Sequence, residues 1–196
     1  MRIITILTIL FLTFTSLFAA IEKEKIAPVM KEKIDTVTLL LQDKNIAKES
    51  LKEQIYAIFD PVFDYDLMAK LSLGPVTWKT LTQEQKDRFV KLFEARLKAS
   101  YVNKLDLYTD EVVAIKEVKP VKSHIYLLTE LIGKETNYNI DYKFYDAKET
   151  GWRIYDVDIL GVSIIKTYRS QFAGILKEKS FDALLQILAE PETPKP

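Results

Sequence analysis

Asn137-Tyr138-Asn139-Ile140-Asp141-Tyr142-Lys143-Phe144 alternates polar and apolar residues without a break. Successive side chains of a strand point to opposite faces. Tyr138, Ile140, Tyr142 and Phe144 therefore share one face, and Asn137, Asn139, Asp141 and Lys143 share the other. The spacing predicts a strand over 137–147, with further strands over 111–119, 123–132 and 152–159. The links are Pro120-Val121-Lys122, Gly133-Lys134-Glu135 and Lys148-Glu149-Thr150-Gly151. Connections that short join only neighbouring antiparallel strands, because a parallel return needs a long crossover. Residues 111–159 are thus expected to form a four-stranded meander. Its second strand sets Ile125, Leu127 and Leu131 against Tyr126, Leu128 and Ile132, the pattern of a strand covered on both faces.

On either side the period changes to helical, over 21–108 before the sheet and 163–190 after it. Val29, Met30, Ile34, Val37, Leu40 and Leu41 recur at helical spacing. Asn45 is placed to cap a second helix carrying Leu51, Ile55, Ile58 and Phe59, which Asp60-Pro61 ends because proline disfavours helix in its predecessor. A short helix over 64–73 stops at Gly74-Pro75. Thr82-Gln83-Glu84-Gln85 is a capping box that opens the longest helix, whose stripe is Phe89, Leu92, Phe93, Arg96, Leu97, Tyr101 and Leu105. After the sheet come Ile164, Ile165, Tyr168, Phe172 and Leu176, then Phe181, Leu184, Leu185 and Leu188. The expected fold class is α+β, with helices on one curved sheet. Residues 21–190 are read as a single domain and the proline-rich 191–196 as a disordered tail.

Residues 1–20 read differently from the rest. Met1-Arg2, an apolar run interrupted by threonines, and Ala19-Ala20 ahead of Glu22-Lys23-Glu24-Lys25 have the layout of a secretory signal peptide. The alternative, an uncleaved membrane anchor, needs about 20 consecutive apolar residues, more than this run supplies. Cleavage is expected after Ala19 or Ala20. The chain of 196 residues then loses Arg2, leaving 28 acidic against 27 basic residues. That balance gives no basic excess to draw the protein to nucleic acid. With no cysteine and one histidine, thiolate or multi-histidine metal sites, disulfides and cysteine nucleophiles are excluded. Five glycines assemble no phosphate-binding loop.

The remaining candidate chemistry is thin. Ser123-His124 suggests a hydrolase pair, but adjacent strand residues face opposite ways. Asp64 and Asp66 resemble a metal pair, and a helix cap with a first-turn acid explains them more simply. Asp156 and Asp158 share a strand face and could serve as acid and base, or stand as two exposed edge aspartates. Ten Tyr, ten Phe and two Trp form either a packed core or the wall of an apolar cavity between sheet and long helix. Periodicity does not separate these, because both walls have one pattern.

Four stretches add a resemblance. Phe63-Asp64-Tyr65-Asp66-Leu67-Met68-Ala69 runs on to Gly74 and Trp78, and Arg88-Phe89 with Leu92-Phe93 leads to Tyr101. Gly151-Trp152-Arg153-Ile154-Tyr155-Asp156-Val157 precedes Gly161-Val162-Ser163, and Tyr168-Arg169-Ser170-Gln171-Phe172 closes the series. In this order they resemble the MlaC family of periplasmic phospholipid-binding proteins, also called toluene-tolerance proteins, over about residues 25–190. The resemblance implies a carrier that takes a phospholipid by its acyl chains into an apolar cavity, on a sheet shaped like the nuclear transport factor 2 cone. It also implies no cofactor, no catalysis, and exchange with an inner-membrane ABC transporter complex and an outer-membrane lipoprotein complex. Phe89, Tyr168 and Phe172 match family-motif positions and are expected in the cavity. Phe93, Leu97, Tyr101, Tyr138, Ile140, Tyr142 and Phe144 join them on periodicity. Arg169 is a candidate contact to the headgroup phosphate, or a structural salt bridge. The lysine-rich segment 116–122 departs from the family pattern, so a partner surface there is expected to differ.

Overall fold

The computed structural model describes residues 20–102 and 111–191. Residues 1–19 of the expected leader (1–20), Leu105 and residues 192–196 of the tail lie outside the described residues, as does the side chain of Tyr101. The sheet is an antiparallel meander of β1 (Val112–Val121), β2 (His124–Ile132), β3 (Asn137–Asp146), β4 (Trp152–Ile159) and β5 (Val162–Ser163), in that spatial order. Two bulges bend it, one between Ile115 and Glu117 on β1 and one opposite Lys143 and Phe144, where Tyr155 is the extra residue of β4.

The fifth strand was not expected. Leu160 (φ 53°) and Gly161 (φ 78°) both adopt positive φ, the conformation of a two-residue turn that reverses the chain at the twist of a sheet. β5 then pairs back on β4 through Asp158 with Ser163 and Ile159 with Val162. A strand of two residues has no periodicity to read.

The helices are α1 (Ile26–Gln42), α2 (Lys48–Phe59), α3 (Tyr65–Leu73), α4 (Pro75–Thr80), α5 (Gln83–Val102), α6 (Ile164–Glu178) and α7 (Phe181–Ala189). The capping box forms as written: Gln85 N–H donates to Thr82 Oγ1 at 3.2 Å, and Thr82 N–H donates to Gln85 Oε1 at 3.0 Å. Asp64 caps α3 by accepting the Leu67 N–H at 2.9 Å. Asn45 does not cap α2. It is held in a turn by Asp43 Oδ1, 2.9 Å from its N–H, and the helix starts after Ala47. Gly74-Pro75 ends α3 as expected, but Pro75 also begins α4, where its missing N–H costs nothing.

One core joins these layers. Ile26, Met30 and Ile34 of α1, Met68, Ala69 and Leu73 of α3, and Phe89, Phe93 and Leu97 of α5 meet Ile125, Leu127, Phe144, Ile154 and Val157 of the sheet. Ile164, Ile165 and Phe172 of α6, with Leu184, Leu185 and Leu188 of α7, close it. A separate cluster of Val37, Leu41 and Ile55 ties the far end of α1 to α2. Arg96, on the apolar stripe of α5, donates to the carbonyls of Ile187, Leu188 and Glu190 and so caps α7.

Candidate functional site: an apolar pocket with one polar corner

A pocket of about 280 Å³ opens between the sheet and four helices. Its sheet wall is Ile140 and Tyr142 of β3 with Val157 and Ile159 of β4, continued by Ile164 of α6. The helical wall comprises Ile55, Tyr56 and Phe59 of α2, Met68 of α3 and Leu97 of α5. Phe63 and Tyr65 flank the α2–α3 link, their rings stacked at 5.7 Å between centroids. The volume lies just under the usual range for small-molecule sites, about 300–1,000 Å³.

Two charged residues line this apolar space, Asp60 and Lys98. Lys98 Nζ donates to Asp60 Oδ2 at 2.7 Å and to Glu94 Oε1 at 2.6 Å. Burial by itself would lower the Lys98 pKa, but the bonds to Asp60 and Glu94 outweigh it and hold the ammonium above its ordinary value. Tyr65 donates its hydroxyl to Asp60 Oδ1 at 2.8 Å, and burial followed by that bond raises its pKa well above the usual tyrosine range. Burial pushes Tyr142 up to about 12. The arrangement offers a greasy recess with a neutral wall and a fixed ion pair at one corner.

The structure brings Leu97, Ile140 and Tyr142 together on the pocket wall. Phe89, Phe93, Phe144 and Phe172, also expected there, are packed protein with at most 3% exposure. Phe93 lies 5.3 Å from Tyr168 and 6.4 Å from Phe172 between ring centroids, and Phe89 lies 5.7 Å from Phe172. These rings fill their own stripe because α6 and α7 close over it. Tyr168, half-buried, belongs to the same aromatic block. Tyr138 is exposed near the start of β3. Arg169 donates through Nε and Nη2 to the Leu71 carbonyl, tying α6 to the last turn of α3, and makes no salt bridge among the described residues. The wall contributed by α2 and the α2–α3 link was missed. Its only sequence signal is the aromatic spacing Phe59, Phe63 and Tyr65 around Asp60-Pro61.

The other candidate clusters are structural. Asp156 and Asp158 are not exposed edge aspartates: Asp156 is 5% exposed, and Lys143 bonds Asp156 at 3.0 Å and Asp158 at 2.5 Å. Asp156 also accepts from the Ser163 hydroxyl and the Ile165 N–H, so it anchors the start of α6. Neither carboxylate is left as a free base. Ser123 sits in the turn before β2, outside the alternation, so contrary to expectation the two side chains do meet, Oγ 3.4 Å from His124 Nδ1; the imidazole also packs obliquely on Tyr155 at 5.1 Å. Tyr145 donates its hydroxyl to Asp64, so both oxygens of that helix cap are used. Among the described residues, no group of three or more His, Asp or Glu could hold a metal ion, and no helix is long and apolar enough to cross a membrane.

Comparison with known proteins meets this geometry. A profile of the MlaC protein family matches residues 31–190. The intermembrane phospholipid transport system binding protein MlaC of Haemophilus influenzae is 21% identical over 92% of this chain and 88% of its own length. Toluene tolerance protein ttg2D of Pseudomonas putida is 28% identical over 75% of this chain and 72% of its own. Among solved structures, the phospholipid-binding protein from Ralstonia solanacearum, in complex with a phospholipid, superposes with a TM-score of 0.71. That match covers 82% of this chain and 93% of the other, at 21% identity. With the family profile spanning residues 31–190 of the 196, this chain belongs to the MlaC family.

Proposed function

We propose that this protein is a periplasmic phospholipid carrier that encloses acyl chains in the pocket between α2, α3, α5 and the sheet. The observation that carries the reading is the apolar wall of that pocket, in a member of a family whose named relatives bind or transport phospholipid. Enclosure is what such cargo requires. Two acyl chains carry about 30 carbons, and at about 0.8 kcal/mol per methylene exposing them to water costs on the order of 24 kcal/mol. Free lipid is therefore negligible, and transfer depends on a protein that keeps the tails dry. Leu97, Ile140 and Tyr142 are the proposed tail contacts among the residues read from sequence, joined by the wall from α2. The lipid is cargo, and the reading needs no cofactor and no catalytic step.

The carrier is exported by a cleaved leader over residues 1–20. It exchanges lipid with an inner-membrane ABC transporter complex and an outer-membrane lipoprotein complex, and so serves the lipid asymmetry of the outer membrane. The test is organic extraction of protein purified without detergent, followed by mass spectrometry. Close to one glycerophospholipid per chain is expected. A folded, detergent-free sample that yields no lipid overturns the reading.

A further inference from the structure

The polar corner of the pocket has features that acyl chains do not need. Lys98 is the one cation among the described residues lining the pocket, and two carboxylates, Asp60 and Glu94, hold its ammonium. The same nitrogen lies 5.1 Å from the ring centroid of Tyr56 and 4.9 Å from that of Tyr65. Aromatic faces combined with carboxylates are the surroundings in which proteins hold ammonium ions. Two carboxylates against one ammonium leave this corner with one negative charge. Its side chains are part-exposed (Asp60 37%, Glu94 34%, Lys98 17%), so a ligand charge can reach them at the boundary between pocket and solvent.

Resting on the carrier reading, we propose that this corner is the headgroup site and that it favours a zwitterionic, ammonium-bearing phospholipid over an anionic one. Lys98 turns on its flexible stem to pair with the phosphodiester. The ammonium of the headgroup takes the vacated place against Glu94 and the tyrosine faces. Charges then alternate, and the excess negative charge of the corner is unchanged. A headgroup of phosphate and glycerol brings a second negative charge and no cation, and like charges brought together disfavour it. If Lys98 were only a structural tie between α5 and the α2–α3 link, uptake would not depend on the headgroup.

The test offers delipidated protein to vesicles of equal phosphatidylethanolamine and phosphatidylglycerol with matched acyl chains. The protein is re-isolated without detergent, and bound headgroups are counted by mass spectrometry. The wild type should be enriched about fivefold in phosphatidylethanolamine, equivalent to about 1 kcal/mol, the upper end for part-exposed charge pairs. Glu94→Gln, which makes the corner neutral, should bring the ratio close to parity. Lys98→Gln, which leaves two uncompensated carboxylates, should raise the ratio above the wild type. Full loading of the wild type at the offered ratio overturns the headgroup proposal while leaving the carrier intact. So does a shift of both variants in the same direction. No lipid on the wild type overturns the carrier reading, and this proposal with it.

Discussion

Replacing Ile140 with tryptophan separates a pocket wall from a packed core in one experiment. Ile140 is half-buried on β3, opposite Ile159, with its side chain on the pocket of about 280 Å³. Its backbone is fixed, since the carbonyl accepts the Thr129 hydroxyl at 2.6 Å, so the strand will not slide to relieve a larger side chain. Overfilling a packed site costs about 1–3 kcal/mol. For a chain of this size that is a fall in Tm of roughly 2–12 °C. An indole that enters the open pocket costs nothing comparable, and the lipid-free protein should melt within about 0.5 kcal/mol of the wild type. The cost appears in binding. Displacing two or three methylenes of an acyl chain, at about 0.8 kcal/mol each, weakens lipid binding about 15- to 50-fold. Denaturant melts of delipidated protein, run beside extracted lipid per chain, give both numbers. A large loss of stability with lipid occupancy intact would show that Ile140 is core and that the pocket assignment is wrong.

Phe93→Ala should behave in the opposite way: Phe93 is fully buried against three other rings, and its truncation should lower unfolding free energy by about 3–5 kcal/mol in urea titrations. The pH dependence has a definite sign. Tyr142 titrates near 12 in the fold against 10.0 for a free tyrosine, so between those values the unfolded chain loses a proton that the native protein keeps. Stability should hold below pH 10 and fall from 10 to 12, and Tyr142→Phe should reduce that slope by about 1.4 kcal/mol per pH unit in melts across the interval. In native-state hydrogen exchange, the amides of α2 should open at lower free energy than those of β2 and β3, and lipid should slow α2 most; equal protection of α2 and β3 would contradict this.

Much of the fold was legible because local chemistry and final structure agree. The alternation from Asn137 to Phe144 places Ile140 and Tyr142 on the inner face, and the Thr82 and Gln85 side chains form both bonds that their spacing implies. What escaped depends on contacts distant in sequence. Asp156 and Asp158 look like exposed acids until the bulge at Tyr155 sets Asp156 beside Lys143, thirteen residues away. Phe89 and Leu97 sit on one helical stripe two turns apart, yet one is sealed among rings from α6 and α7 and the other borders the pocket. No property of the stripe distinguishes them, because the difference lies in what packs opposite. The α2 wall was missed for the same reason.

The position of the pocket explains how a carrier can be stable when empty and still let its cargo leave. A pocket of about 280 Å³ is small for a lipid with two chains, so some wall has to yield on loading. The sheet wall is held by ladder bonds on both sides of β3, and the aromatic block of Phe89, Phe93, Tyr168 and Phe172 is closed by α6 and α7. Only α2 contributes wall residues while resting on a small, separate cluster of Val37, Leu41 and Ile55. Ile55 belongs to both, so displacing α2 disturbs that cluster and the pocket together, and of the α2 residues Phe59 alone also packs on the main core. Were the cavity walled by the aromatic block instead, each exchange would have to separate buried rings, whose loss costs about 3–5 kcal/mol apiece. On the carrier reading, a movable wall on α2 would confine the cost of opening to the small cluster and the contacts of Tyr56 and Phe59, which incoming acyl chains would replace.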